Sequence, residues 1–174
     1  MDLQGKRALS LLHDDFEDLE FWYPTYRLQE EGMIVDVAAQ KAGHTYVGKH
    51  GVPAESAISF SEVDPSRYVV LLVPGGWAPD KLRRFSEVLD IVRTMNDSGK
   101  IIAEICHAGW VLISAGMLSG RTVTSTPGIR DDMENAGATW VNEPVVVDGN
   151  LVSSRRPPDL PAYLRELVRV LKER

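Results

Sequence analysis

Two short runs of nearly uninterrupted apolar residues constrain the fold most. Tyr68 to Val73 is stopped by Pro74-Gly75-Gly76, and Ile101 to Ile105 leads directly into Cys106-His107. Such runs, bounded by turn signals and apolar on both alternating faces, read as strands buried on both sides, the situation of central strands in a parallel sheet. Lys6 to Leu12 and Met33 to Ala39 read as two further strands, with short late strands at Arg121 to Ser125, Val145 to Val147 and Leu151 to Ser153. Between them fall helical patterns: Glu17 to Glu30, with Leu19, Trp22, Tyr23, Tyr26 and Leu28 as its apolar stripe; 86–98; His107 to Ala115; Asp131 to Ala136; and Pro157 to Lys172. Residues 43–60 read as irregular and short-stranded. Alternating strands and helices predict an α/β fold, a mostly parallel central sheet covered on both faces.

The chain has 174 residues, 44% of them hydrophobic, which suits one domain over 1–174 with a substantial core. It holds no apolar stretch of about 18 residues, so no membrane span is expected. Met1 to Arg7 lacks the charged, apolar and small-residue order of a signal peptide, which points to a cytoplasmic protein. The net charge of -6 opposes a nucleic-acid role. The densest basic cluster, Lys81 to Arg84, reads as a solvated helix face. A single cysteine, Cys106, excludes an intramolecular disulfide and the usual Cys-based zinc sites, and it fits a reducing compartment. No pattern calls for a metal or an organic cofactor.

In open α/β sheets ligands bind outside the carboxyl ends of the strands. Asp14 to Glu17, Pro74 to Gly76, Cys106-His107 and Ser125 to Pro127 each follow a predicted strand, so these turns are expected on one rim. Cys106 sits where an apolar strand meets a helix and small residues follow at Ala108 and Gly109, the pattern of a nucleophile elbow. Free N–H groups at a helix start favour a thiolate, so a lowered thiol pKa is expected. The other reading of Cys106 is a buried cysteine at a strand end. His107 is a general acid or base by type, or a helix-start histidine bonded locally. His13, His44 and His50 are less well placed. Glu17 either hydrogen-bonds the sulfur or is an ordinary acid of a first helical turn. Gly75-Gly76 offers backbone N–H groups for an oxyanion, or is a plain turn.

Taken together these residues resemble the PfpI-type intracellular cysteine peptidase and protein deglycase family, within the class I glutamine amidotransferase-like superfamily. The matching segments run nearly end to end: Phe16-Glu17-Asp18, Tyr23-Pro24, Gly48-Lys49-His50-Gly51, Pro74-Gly75-Gly76-x-Ala78-Pro79, Ile105-Cys106-His107, Ile113-Ser114-Ala115-Gly116, Pro127-Gly128-Ile129, Val147-Asp148-Gly149-Asn150 and Ser153-Ser154-Arg155.

The resemblance implies a flavodoxin-like three-layer α/β/α sandwich and a cysteine-dependent hydrolase acting on peptides or on glyoxal and methylglyoxal adducts in stress protection. Cys106 would be the nucleophile, Glu17 would contact its sulfur, and Gly75 and Gly76 would supply the oxyanion N–H groups. It further implies a homo-oligomer, dimer to hexamer, in which an acid from a neighbouring subunit orients His107. That position is Asp80 here, one methylene shorter than the family's Glu. Two other departures are Thr126, where close relatives carry a Tyr, and Glu104, where small residues are common; Glu104 either tunes the site or faces solvent. An alternative is a redox-sensing or chaperone-like protein using the same cysteine. A glutaminase would need a late His-x-Glu pair, and no histidine follows His107.

Overall fold

The computed structural model describes residues 2–174. In chain order its elements begin with β1 (Arg7–Leu11), α1 (Asp18–Glu30), β2 (Ile34–Ala39), β3 (Thr45–Val47), β4 (Pro53–Glu55), β5 (Ile58–Ser59), β6 (Val70–Val73), α2 (Ala78–Leu82) and α3 (Ser86–Asp97). They continue with β7 (Ile101–Ile105), α4 (Gly109–Ala115), β8 (Thr122–Val123), α5 (Arg130–Asn135), β9 (Thr139–Trp140), β10 (Val145–Asp148), β11 (Leu151–Ser154) and α6 (Leu160–Lys172). A seven-stranded sheet has the order β10-β11-β7-β6-β1-β2-β5. Its neighbours pair in parallel, except β10 with β11.

The two apolar runs form the sheet's centre. In β6, Val70 and Leu72 face one layer while Leu71 and Val73 face the other; in β7, Ile101, Ala103 and Ile105 share the first side with Val70. Strand alternation thus feeds two cores. On one side α6 lays Leu160, Tyr163, Leu164, Leu167, Val168 and Leu171 against the sheet. On the other, α3 and α4 contribute Val88, Ile91, Val92, Met95, Val111 and Leu112. This is the flavodoxin-like α/β/α arrangement. Among the described residues no helix is long and apolar enough to cross a membrane.

Two local features differ from the sequence pattern. The stripe on α1 is only partly inward: Leu28 is buried and Trp22 packs half-buried against the core, but Leu19 and Tyr26 are 57% and 60% exposed and Tyr23 is also exposed, while Asp18, Glu20, Phe21, Pro24 and Thr25 are buried. Strand β8 lies outside the main sheet, because β11 occupies the position beside β7; β8 pairs with β9 in a separate two-stranded sheet. Residues 43–60 hold short strands, as expected: β3 and β4 form an antiparallel hairpin that buries Tyr46 and Ala54, and β5 pairs with β2 at the sheet edge.

Candidate active site

Cys106 follows β7 and opens a single 3-10 turn, Cys106–Ala108, before α4. Ile105 is still extended (φ -142°), whereas Cys106 has φ 65°, a left-handed conformation that non-glycine residues rarely adopt. Holding it there costs on the order of 1–3 kcal/mol. This conformation turns the chain sharply, and Sγ lies 3.3 Å from His107 Nδ1.

The turn after β6 closes in from the other side. Gly76 has φ +77°, and a Cβ there would lie 2.4 Å from both Asp15 O and Glu17 N. Glycine therefore lets this turn pack against the turn after β1, an approach fixed by Glu17 N to Gly75 O (3.1 Å) and Trp77 N to Asp15 O (2.8 Å). A Cβ on Gly75 would meet Glu20 Oε2 at 2.2 Å and Cys106 Cβ at 2.7 Å, so Gly75 leaves room for both side chains.

The carboxyl at the sulfur is that of Glu20, not Glu17 as the resemblance implied. Glu17 is the N-cap of α1: its Oε2 folds back to accept from Glu20 N at 2.9 Å, and its Oε1 lies 3.6 Å from His50 Nε2. That capping geometry turns Glu17 away and directs Glu20, one turn on, into the site. Glu20 Oε2 accepts from Gly75 N at 2.9 Å, while Oε1 is buried without a hydrogen-bond partner among the described residues. Gly75 N–H is therefore engaged by Glu20 rather than free for an oxyanion. The backbone N–H groups that act on the sulfur are those of His107 and Gly76. The sequence carried only a partial signal: residues 17 and 20 stand at the N-cap to N3 spacing, at which the first side chain can accept from the N–H of the second.

Burial, then the charge of Glu20, pushes the Cys106 thiol up, against the expected lowering; the N–H groups of His107 and Gly76 pull the other way. Burial, then the nearby Glu17, raises Glu20 to about 8. At neutral pH Glu20 thus carries a proton, which removes the like-charge cause and leaves its O–H available to the sulfur. His107 is lowered by burial, then by Lys49, so its imidazole is neutral at pH 7. Lys49 sits in the Gly48 to Gly51 turn, which Asp18 ties down by accepting from His50 N and Val52 N, each at 2.9 Å. Lys49 N also donates to Phe16 O at 2.9 Å.

Glu104 does not face solvent. It is fully buried, level with Val73 on β6 and Ser153 on β11, and burial followed by the charge of Glu20 raises it well above the usual carboxylate range. Neither of its oxygens nor Thr124 Oγ1 has a hydrogen-bond partner among the described residues. Thr126 closes the rim, its N donating to Cys106 O at 3.3 Å. Asp80 is on α2, pairs with Arg84 at 2.5 Å and is outward-facing in its own chain. Glu17, Asp18 and His50 each bring one ligand atom into a group within 4.8 Å, but both carboxylates are already committed to backbone N–H groups. The arrangement suits attack by a buried thiol, with a neutral imidazole as its proton acceptor.

The DJ-1/PfpI family model matches residues 6–170, and the chain belongs to that family. It is 50% identical over 166 residues to a Pyrococcus abyssi protein named Deglycase PYRAB04690, covering 95% of this chain and 99% of that one. It is 48% identical to Deglycase PfpI of Pyrococcus furiosus, with the same coverage. Among solved structures it resembles a two-domain protein from Anabaena variabilis with DJ-1/ThiJ/PfpI-like and ferritin-like domains, at TM-score 0.94 and 34% identity over 96% of this chain; it spans 48% of that protein's length.

Proposed function

We propose that this chain is a cysteine-dependent hydrolase acting on glyoxal or methylglyoxal adducts, or on peptides. The observation that carries the reading is Cys106 at φ 65°, with His107 Nδ1 3.3 Å from its sulfur and Glu20 beside it. Deglycase is the name borne by relatives about half identical over nearly their whole length.

In this mechanism neutral His107 takes the thiol proton as Sγ adds to the substrate carbonyl carbon. The developing oxyanion is held by the backbone N–H groups of Gly76 and His107. On a peptide, imidazolium then returns the proton to the departing nitrogen as the tetrahedral adduct collapses to a thioester. On a methylglyoxal adduct the proton goes to the target's departing thiol or amine, and a proton shift from C1 to C2 of the enzyme-bound hemithioacetal, oxidising C1 as the ketone carbon C2 is reduced, gives the lactoyl thioester. Water, deprotonated by the same imidazole, cleaves the resulting thioester and frees Cys106. Protonated Glu20 donates a hydrogen bond to the sulfur whenever it carries charge. Asp80 of a second copy accepts from the other ring nitrogen of His107. The outward stripe of Leu19, Tyr23 and Tyr26 supports self-association, because clustered exposed apolar side chains mark interfaces. The redox-sensor reading is weaker: Cys106 is 8% exposed and burial raises its thiol, both of which slow oxidation.

The test compares wild type and Cys106→Ser on a methylglyoxal–cysteine adduct and on a casein-type peptide. Loss of turnover by about 10³-fold or more on at least one substrate is expected. A serine variant as active as wild type on both would sink the proposal.

A further inference from the structure

His107 is contacted by two indole rings. Trp77, from the turn after β6, lies with its ring centroid 5.1 Å from the imidazole, tilted by 44°; Trp110, on α4, lies 5.0 Å away, tilted by 52°. Trp110 is itself anchored. Its Nε1 donates to Asp132 Oδ2 on α5 at 2.8 Å, and the Arg83 guanidinium lies 5.9 Å from its ring centroid. Arg83 is tied in turn to α4, its Nε donating to Ser114 Oγ at 2.8 Å. Trp77 is held through its backbone, its N–H donating to Asp15 O at 2.8 Å, so its ring leaves the chain where the turn after β6 meets the turn after β1. Two indoles, from the turn after β6 and from α4, thus meet one imidazole, and α5 and Arg83 brace the second of them.

We infer that Trp110, anchored by Asp132, and Trp77 are positioning residues that set the His107 ring with Nδ1 toward Cys106 within a single chain. Adjacency in sequence does not do this: Cys106 and His107 are consecutive on a tight turn, and a half-buried histidine on a rim has several staggered rotamers open to it. Each aromatic contact favours one rotamer by up to about tenfold, and two contacts from different elements favour the same one. The neighbour's carboxylate then meets a ring already in place instead of selecting it from a mixture. The inference rests on the proposed hydrolytic reading for its kinetic arm only; its structural arm stands without it.

The experiment uses the full chain as Trp110→Ala, Trp110→Phe, Trp77→Ala and Asp132→Asn. The first readout is the ring-proton resonance of His107, assigned by its disappearance in His107→Asn. The neighbouring indoles displace it by ring current, so Trp110→Ala and Trp77→Ala should each move it. The second readout is turnover of the methylglyoxal–cysteine adduct. Trp110→Ala should lose about tenfold in kcat with KM changed by less than about twofold. Trp110→Phe, which keeps an aromatic ring, should recover most of that loss. Asp132→Asn, which keeps the indole but weakens its anchor, should fall between wild type and Trp110→Ala. Should Trp110→Ala fail to fold, Trp77→Ala and Asp132→Asn carry both readouts. A His107 resonance unmoved by Trp77→Ala and Trp110→Ala overturns the inference, as does a kcat equal to wild type in an active enzyme. Should wild type itself show no Cys106-dependent turnover, the hydrolase reading fails while the resonance still decides this one.

Discussion

Glu20 gives the protein a stability that falls as pH rises, and Glu20→Gln should remove it. The unfolded carboxyl has its ordinary value of 4.5, whereas burial and then Glu17 raise it to about 8 in the folded chain. Between those values the folded state binds a proton that the unfolded state has lost. Stability from this group is therefore complete below pH 4.5 and is lost as pH climbs to about 8, at about 1.4 kcal/mol per pH unit. Over the whole window that is roughly 3–5 kcal/mol. Glutamine is the informative replacement. Its carbonyl still accepts from Gly75 N–H, its amide still donates toward the sulfur, and it does not titrate. Alanine would confound the result by leaving Gly75 N–H unsatisfied, at about 1–3 kcal/mol. The assay is urea unfolding of wild type and Glu20→Gln at intervals from pH 5 to pH 8.5, read as the difference in unfolding free energy. That difference should move steadily in favour of Glu20→Gln up to about pH 8 and then level off. Parallel pH curves, with a difference constant to within about 0.5 kcal/mol, would show that Glu20 is ionised in the folded protein and would refute its role as a proton-bearing partner of Cys106.

Lys49→Ala should raise the His107 pKa, because Lys49 lowers it after burial does, and the acid limb of kcat/KM on the adduct should move to higher pH; an acid limb that stays in place would remove Lys49 from the site. Gly76→Ala combines positive φ with a Cβ 2.4 Å from two backbone atoms, while Gly5→Ala has φ +73° and open space. Gly5→Ala should cost about 1–2 kcal/mol in denaturant unfolding and Gly76→Ala clearly more; equal costs would contradict the close approach of the two turns. Gly75→Ala drives a methyl group against Glu20 and Cys106, so it should slow alkylation of Cys106 by iodoacetamide; a rate like wild type's would mean that the Glu20 carboxyl can move aside freely.

The parts of the fold legible in the sequence are those where one physical requirement acts alone. β6 and β7 stand out because a strand covered on both faces must be apolar on both, and α6 because its buried residues repeat at helical spacing. β8 was legible only as a longer strand over Arg121 to Ser125, β9 has two residues, too few for any period to register, and α2 is a five-residue helix with Pro79 in its first turn. The rim was legible as a set of turns. What each group on it does was not, because that depends on which hydrogen bonds are already taken. Gly75 N–H and the Glu17 carboxylate both carried the right chemistry for the expected roles, and both are engaged elsewhere: Gly75 with Glu20, Glu17 with the backbone of α1.

Helix α1 shows why pattern and site pull in opposite directions. Hydrophobic periodicity turns Leu19, Trp22, Tyr23, Tyr26 and Leu28 inward; the structure keeps Leu28 and part of Trp22 inside and turns Leu19, Tyr23 and Tyr26 out. The inward face instead carries Glu20 and Thr25, and Thr25 Oγ1 must bond back to Phe21 O at 2.7 Å to be satisfied. A carboxyl placed beside a nucleophile has to be buried to hold its proton at neutral pH, and burying it removes that helix face from the apolar count. The aromatic and aliphatic residues displaced to the outside then need cover of their own, which a second copy would provide. On this argument the outward turn of Leu19, Tyr23 and Tyr26 and the proposed oligomer have one cause, the position of Glu20 against Cys106. Replacing Leu19 and Tyr26 together by Ser should dissociate the assembly in sedimentation velocity while leaving the Cys106 and His107 geometry of the single chain intact. If such a variant stays assembled, the stripe is not the contact and the link between the two features fails.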